Sequence, residues 1–484
     1  VRAAFALFCA GLSLAAVAAD APTTGAQELR AAETFAMVWS KLRDSSFDPE
    51  LERVDWAALE SRHRPAIEGA RDRETLRREI GALLQAIGVS HLSLIPAEAV
   101  AAPKAPPARD RRRAGDDVES DTSADAGDDD LDDEDEATED EGTVASVGLR
   151  VRLIDGAMHV VAVAPGSAAA DAGIAPGWHL ERIDAWRMDG AVASLAQQPP
   201  GQARRRAELH FQMQVADRLE DLETGDEVTL DLRDLAARPH RKILAARPRP
   251  GEPLELLPGM PPVPMHYEAT RRALPDGGCA LLVAFNLWAQ PTFDRLAATL
   301  RDERGCDRLI LDLRANPGGQ LWTLTAIAGL LHDRKTQLGT MTSADGTLRM
   351  IVFPRRIDND GRPLRQLLGP IAILIDRGSA SSSEIFASAL QATGRARIFG
   401  ETSAGMALPA MTARLPSGDW LYYPTADITD PSGRRIEGRG VAPDTAIALE
   451  VSGLAKGGDP ILDAAMGWIA EAAAPTPTTA APRP

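Results

Sequence analysis

The chain has 484 residues, 44% of them apolar and 25% charged, which is enough hydrophobic material for two or three domains and too much for a chain disordered throughout. Its formal charge of −17 is local: residues 116–141 hold 16 Asp or Glu and no Lys or Arg, so the remainder is close to neutral. Such a run reads as a solvated, disordered loop, with calcium binding or docking of a basic partner as rarer uses, and it argues against a nucleic-acid partner.

Val1-Arg2, the apolar stretch Ala3 to Ala18 and the small residues up to Ala19-Asp20 read as a secretory signal peptide over residues 1–19. This predicts a chain secreted across the inner membrane into a periplasm, with no stable membrane span after cleavage. A membrane anchor is the competing reading, but the run is short for a bilayer. From Glu28 to Ile87 the pattern is helical: Leu29, Ala32, Phe35, Trp39 and Leu42 recur at three and four, Leu76 to Leu84 repeats the period, and Gly88 closes the last helix. Residues 20–100 are therefore an N-terminal helical region. His91 to Ile95 alternates like a strand, which puts Ser90-His91 at a helix-to-strand junction. Residues 101–146 are a Pro-rich, then acidic, linker.

Next come Val147-Gly148-Leu149-Arg150-Val151, the strand His159 to Val163, Pro165-Gly166-Ser167 and Pro176-Gly177-Trp178. Residues 147–250 resemble a PDZ domain, and the resemblance implies capture of a peptide end by strand addition at Val147, Gly148 and Leu149. Gln197 to Arg218, with its Pro-Pro-Gly start and polar character, reads as an insertion. A small β-rich domain that binds nothing is the plainer alternative.

Beyond Gly278, strands 279–286, 308–313, 371–375 and 396–400 alternate with helices 291–304, 321–332 and 383–393. This is the rhythm of a mostly parallel βαβ sheet, so the fold class is multidomain α/β, with the core at 251–471 and a disordered tail at 472–484. Ligands of such sheets bind beyond the strand C-termini, where the turns 314–320 and 376–382 lie. Cys279 and Cys306 open two adjacent strands; a disulfide and two buried free thiols are both open readings.

The turn Asp376 to Glu384 is dense in serine and places Ser381 where a strand hands over to a helix, beside the positive helix end. On local chemistry alone, Ser381-x-x-Glu384 is an ordinary capping box. Its company changes the weighting. Leu311-Asp312-Leu313-Arg314-Ala315-Asn316-Pro317-Gly318-Gly319, then Gly378-Ser379-Ala380-Ser381, then Ile436-Glu437-Gly438-Arg439-Gly440, in that order behind a PDZ-like stretch, resemble the C-terminal processing peptidase and tricorn-core family of serine peptidases, family S41.

The resemblance implies Ser381 as nucleophile. Many bacterial members supply a lysine base from the loop after the following strand, but the matching position here is Met406, which cannot accept a proton. The tricorn-like branch uses a Ser-His pair ahead of the PDZ region. Ser90-His91 resembles that pair, which implies His91 as general base and acid, with Glu437 supporting it through Ser90. Oxyanion donors would be the backbone N–H groups of Gly318 or Gly319 and of Ser382.

No His-Glu-x-x-His, paired Cys-x-x-Cys or Gly-x-x-x-x-Gly-Lys-Ser/Thr arrangement occurs, so neither a metal nor another cofactor is indicated. The expected function is a secreted serine endopeptidase acting on polypeptide through an acyl-enzyme, with PDZ-assisted recognition. The competing class is a non-catalytic peptide-binding scaffold of the same fold, and a third reading is an esterase or amidase.

Overall fold

The computed structural model describes residues 29–43, 51–100, 145–199, 201–220, 222–358, 361–454 and 456–472. The expected signal peptide, the acidic run 116–141 and the tail beyond Ala472 lie outside them. Among the described residues, no helix is long and apolar enough to cross a membrane.

In the N-terminal region, α1 (Ala31–Arg43), α2 (Trp56–Glu68) and α3 (Arg73–Ile87) precede a short strand β1 (Ser93–Ile95). The Asp72 side chain caps α3 by accepting from the Thr75 N–H at 2.7 Å. Leu76, Ile80, Leu83, Leu84 and Ile87 form its buried stripe, and Gly88 ends it in the left-handed conformation at φ 70°.

The second unit contains β2 (Leu149–Ile154), β3 (Ala157–Val163), β4 (His179–Ile183), α4 (Met188–Gln197), α5 (Gln202–Glu220), β5 (Glu227–Arg233) and β6 (Pro239–Ala245). Its strands pair in the order β2-β3-β4-β5-β6, all antiparallel, which leaves β2 at one edge. The stretch expected to be an insertion is mostly helix α5. Phe211, Val215 and Leu219, spaced one turn apart along α5, are buried in the core of this unit.

The C-terminal unit holds β7 (Tyr267–Ala273), β8 (Cys279–Phe285), α6 (Gln290–Asp302), β9 (Arg308–Asp312), α7 (Leu321–Leu331), β10 (Ile371–Ile375), α8 (Ser382–Ala392), β11 (Arg397–Gly400), the hairpin β12 (Ala410–Arg414) and β13 (Trp420–Pro424), β14 (Thr445–Ala446) and α9 (Pro460–Glu471). The main sheet runs β7-β8-β9-β10-β11-β14; β7 is antiparallel to β8 and every other pairing is parallel.

All five residues of β10 are buried, as expected for a parallel strand covered on both faces. Ile371, Ile373 and Ile375 share a core with Phe293 of α6, Leu324 of α7 and Phe386 of α8. Ala372 and Leu374 face α9 through Ile461, Ala465 and Ile469. The period of two along one strand thus builds a three-layer sandwich.

Three links lock the N-terminal helices to the C-terminal unit. β1 pairs antiparallel with β13, Ser93 opposite Tyr422 and Ile95 opposite Trp420. Leu415 and Leu421 of the hairpin complete the core of α1–α3, so the N-terminal helices share their core with the C-terminal unit and do not form a separate globule. The buried Asp419 carboxylate accepts from Arg77 of α3 at 2.6 Å and 3.1 Å and from the Ala97 N–H at 3.1 Å.

Cys279 and Cys306 form a disulfide between the N-terminal ends of β8 and β9, which resolves the two readings in favour of the bond. It closes a loop across a separation of 27 residues. Reduction, or Cys306→Ser, is expected to lower the unfolding free energy by about 3 kcal/mol. Urea titration with and without reductant measures this, and coincident curves would refute it.

Candidate active site

The turns after β9, β10 and β11 meet at the C-terminal edge of the parallel sheet. In the turn after β10 the side chains of neighbouring serines have separate tasks. Ser379 Oγ donates to the Leu313 carbonyl at 2.7 Å. Ser382 Oγ donates to the Gly319 carbonyl at 2.8 Å. Ser383 Oγ donates to the Asn316 carbonyl at 3.2 Å and accepts from Trp288 Nε1 at 2.9 Å. These bonds pin the serine turn onto the turn after β9. Ser381 differs: among the described residues its hydroxyl donates to no acceptor.

Its backbone is left-handed, at φ 53° and ψ −120°, a strained conformation for a residue with a Cβ. The conformation is held by the Ser381 N–H donating to the Met406 carbonyl at 2.7 Å and by Glu384 and Ile385 N–H groups donating to the Ser381 carbonyl. A strained residue between a buried strand and a helix N-terminus lifts its side chain off the sheet edge, as a nucleophile must be lifted.

The expected oxyanion donors divide. Gly318 N–H already donates to Asn316 Oδ1 at 2.9 Å. Among the described residues, the N–H groups of Gly319 and Ser382 donate to no protein acceptor, so of the three expected donors these two have their hydrogens uncommitted. Gly318 contributes by being small: at φ 106°, a Cβ there would lie 2.6 Å from Ser381 Cβ and 3.0 Å from the Ser382 nitrogen. It keeps the space beside Ser381 open.

Glu384, read from sequence as a helix-capping partner, does more. It is fully buried, and its Oε1 accepts from Ser403 Oγ at 2.5 Å and Gly405 N–H at 2.6 Å. Its Oε2 accepts from Met406 N–H at 2.8 Å and from Ser381 N–H at 3.3 Å. Burial pushes its carboxyl up to about 7 even against these donors. The helix that carries Ser381 and the loop after β11 are thereby fastened to one carboxylate. The signal for this role was the Ser403-Ala404-Gly405-Met406 loop, whose donors only the tertiary fold aims at Glu384.

Ser90 and His91 follow the Gly88 cap of α3. Ser90 Oγ and His91 Nδ1 are 2.9 Å apart, and His91 is itself left-handed at φ 56°. The imidazole lies against Tyr422 of β13, ring centroids 5.7 Å apart, a neighbour the sequence did not reveal. Burial pushes the imidazole down to about 4, so it is neutral at physiological pH.

Glu437 is 2% exposed, so its carboxylate is not a solvated charge among Arg434, Arg435 and Arg439. Its Oε2 accepts from Ala407 N–H at 2.7 Å, next in the chain to the N–H that Glu384 holds. Burial pushes it up to about 8; the Ser90 hydroxyl works against that shift and the nearby Glu384 charge adds to it. Oε1 makes no hydrogen bond, so it is an unused acceptor on the side chain that Ser90 influences.

Ser381, Met406, Ala407, Glu437, Ser90 and His91 are thus joined in one chain of neighbours. Among the described residues no hydrogen bond links Ser381 Oγ to His91.

The residues expected to capture a peptide end lie elsewhere. Val147 and Leu149 are buried, and the Val147 N–H donates to the Leu219 carbonyl of α5 at 3.0 Å. The Gly148 carbonyl accepts from Ala164 N–H at 2.9 Å. From the same unit, Arg152 of β2 reaches loops of the C-terminal unit, donating to Asp376 Oδ2 and to Glu401 Oε2, both at 2.6 Å. Burial alone would raise the Asp376 carboxyl, but Arg152 and the N–H groups of Ala315 and Gly378 hold it below its usual value. Among the described residues, no cluster of three or more His, Cys, Asp or Glu side chains has the arrangement of a metal site.

Residues 282–447 match the family model of peptidase family S41. A carboxyl-terminal-processing protease of Picosynechococcus sp. is 35% identical over 153 residues, 32% of this chain and 35% of that protein. A probable CtpA-like serine protease of Staphylococcus haemolyticus is 30% identical over 144 residues, 30% of this chain and 28% of that protein. The match thus spans about a third of the length of these curated relatives. Among solved structures, the photosystem II D1 C-terminal processing protease superposes with a TM-score of 0.52 at 19% identity, covering 88% of this chain and 96% of that one. Mature CPAF superposes with a TM-score of 0.56 at 12% identity, covering 91% and 96%. At these identities the structural likeness speaks for the fold alone.

Four donors converge on both oxygens of Glu384, so Glu384→Gln must turn its amide NH2 toward two of them in either orientation. Urea unfolding at neutral pH is expected to show a loss of about 2 kcal/mol. An unchanged midpoint would contradict the geometry.

Proposed function

We propose that this chain, whose residues 282–447 match the model of peptidase family S41, is a serine endopeptidase that hydrolyses polypeptide through an acyl-enzyme at Ser381. The observation that carries the proposal is the division of labour in the serine turn. Ser379, Ser382 and Ser383 are tied into the scaffold, whereas Ser381 is strained, has no hydrogen-bond acceptor among the described residues, and stands beside the N–H groups of Gly319 and Ser382.

Met406 supplies only backbone atoms, so the proton must go elsewhere. His91 accepts it from Ser381 Oγ as the hydroxyl attacks the scissile carbonyl, and returns it to the leaving amine; water then repeats the exchange to release the acyl group. For Nε2 to accept, Nδ1 must carry its proton and donate to Ser90 Oγ, whose hydroxyl in turn donates to the free Oε1 of Glu437. Gly319 and Ser382 stabilise the oxyanion. The disulfide, in keeping with an oxidising compartment, supports the secreted and periplasmic reading.

One observation favours the non-catalytic alternative, the missing bond between Ser381 Oγ and His91. Unliganded sites often tighten only with substrate, so labelling is the discriminating measurement. A serine-reactive phosphonate is expected to modify Ser381 stoichiometrically. Ser381→Ala and His91→Ala should each lower cleavage of an unfolded protein substrate by at least about a thousandfold while leaving the fold intact. Full activity in Ser381→Ala would end the proposal, and turnover of small esters without protein cleavage would favour an esterase.

The pH profile tests the relay. His91 is neutral above about pH 4, but the Ser90 hydroxyl needs an ionised Glu437, whose carboxyl titrates at about 8. kcat/KM should therefore climb through about pH 8, and Glu437→Gln should lose that limb. A profile flat across that region in the unmodified protein would remove Glu437 from the mechanism.

A further inference from the structure

Helix α5 opens with Arg204, Arg205 and Arg206 and has no acidic residue in its first turn. Cations at a helix N-terminus oppose the helix dipole, so three in succession call for acceptors outside the helix. Arg204 finds Glu208 at 2.8 Å within α5. Arg205 donates to the Arg439 carbonyl at 3.0 Å and the Ser403 carbonyl at 3.3 Å. Arg206 donates to the Gly88 carbonyl. These three carbonyls belong to the three segments that carry Glu437, the loop fastened to Glu384, and Ser90-His91.

The other end of the same helix closes the edge of the second unit. An uncovered edge strand presents free N–H and C=O groups to any extended chain. Here Phe211, Val215 and Leu219 fill the space beside β2. The Leu153 N–H donates to Gln212 Oε1 at 3.1 Å and the Val147 N–H to the Leu219 carbonyl. A peptide adding to β2 would compete with α5 for the same backbone groups.

We propose that α5 is a built-in occupant of the strand-addition edge of β2, and that Arg205 and Arg206 are positioning residues that tie this PDZ-like unit to the three loops of the catalytic site. The unit then braces the site, and it reads no polypeptide end while α5 is seated. The kinetic part rests on the serine peptidase reading; the occupancy part does not.

Two experiments test it. In the Ser381→Ala protein, a fluorescein-labelled peptide ending in a free apolar residue should give no saturable anisotropy change. Phe211→Ala with Val215→Ala should accelerate amide exchange at 147–153 and produce saturable binding. In the otherwise unmodified protein, Arg205→Ala with Arg206→Ala should lower kcat by about ten- to a hundredfold, leave KM within about twofold, and accelerate exchange at 88–92, 401–407 and 436–441, with lysine at both positions restoring part of kcat. Saturable binding at β2 with unchanged exchange in 202–220 would overturn the occupancy. An arginine double variant with unchanged exchange in all three loops would overturn the positioning role. Absence of turnover in the unmodified protein would count against the peptidase reading, and the exchange and anisotropy results would still decide this one.

Discussion

A buried carboxylate organises the site. Glu384 carries no exposed surface, yet it gathers donors from its own helix cap and from Ser403, Gly405 and Met406 in the loop after β11. Without it, the Ser403 hydroxyl and the Gly405 and Met406 N–H groups would lose their acceptor, while the Ser381 N–H would keep only the Met406 carbonyl. The next N–H along the chain, that of Ala407, goes to Glu437. One short stretch of backbone is therefore strung between two acids: Glu384, on the helix that follows Ser381, and Glu437, near Ser90. Burial raises Glu437, and because ionising one acid resists ionising the other, the neighbouring Glu384 charge adds to that shift.

Three of the seven non-glycine residues with positive φ among the described residues belong to the segments of this site. Ser381, His91 and Ala315 are non-glycine residues with φ of 53°, 56° and 56°. Each such residue costs on the order of 1–3 kcal/mol and persists only where its surroundings leave no alternative. For Ser381 and Ala315 those surroundings are the fully buried β10 and the Asp376 carboxylate, which accepts from the Ala315 and Gly378 N–H groups. The energetic cost of the site is met by packing in the sheet beneath it.

Much of this was legible in sequence, for identifiable reasons. Apolar strands bounded by glycine turns disclose a parallel core because burial on both faces leaves an unbroken hydrophobic run, and Ile371 to Ile375 is such a run. Ser381 and the Asn316-Pro317-Gly318-Gly319 turn could be singled out only through their resemblance to family motifs, because locally a capping box and a tight strand-to-helix turn account for them. Glu384 could not be weighed correctly, because a capping box accounts for Ser-x-x-Glu locally and its stronger partners sit in another loop. Gly318 could not be separated from Gly319 until the Asn316 side chain was seen to take its N–H. Helix α5 was read as an interruption because its polar residues dominate, although Phe211, Val215 and Leu219 mark a narrow apolar stripe at one-turn spacing.

The strand that follows His91 has a further implication for when, and not only where, the site exists. β1 has no sheet to join until β13 is present, and β13 lies close to the C-terminal end of the chain. A polypeptide made from its N-terminus carries His91 early, then Ser381, and only afterwards the hairpin that fixes the imidazole beside Tyr422. A chain interrupted anywhere before residue 420 lacks the partner of β1. Synthesis order thus delays the seating of the Ser90-His91 segment until residues 420–422 have been made, which sets it among the later parts of this fold to be fixed.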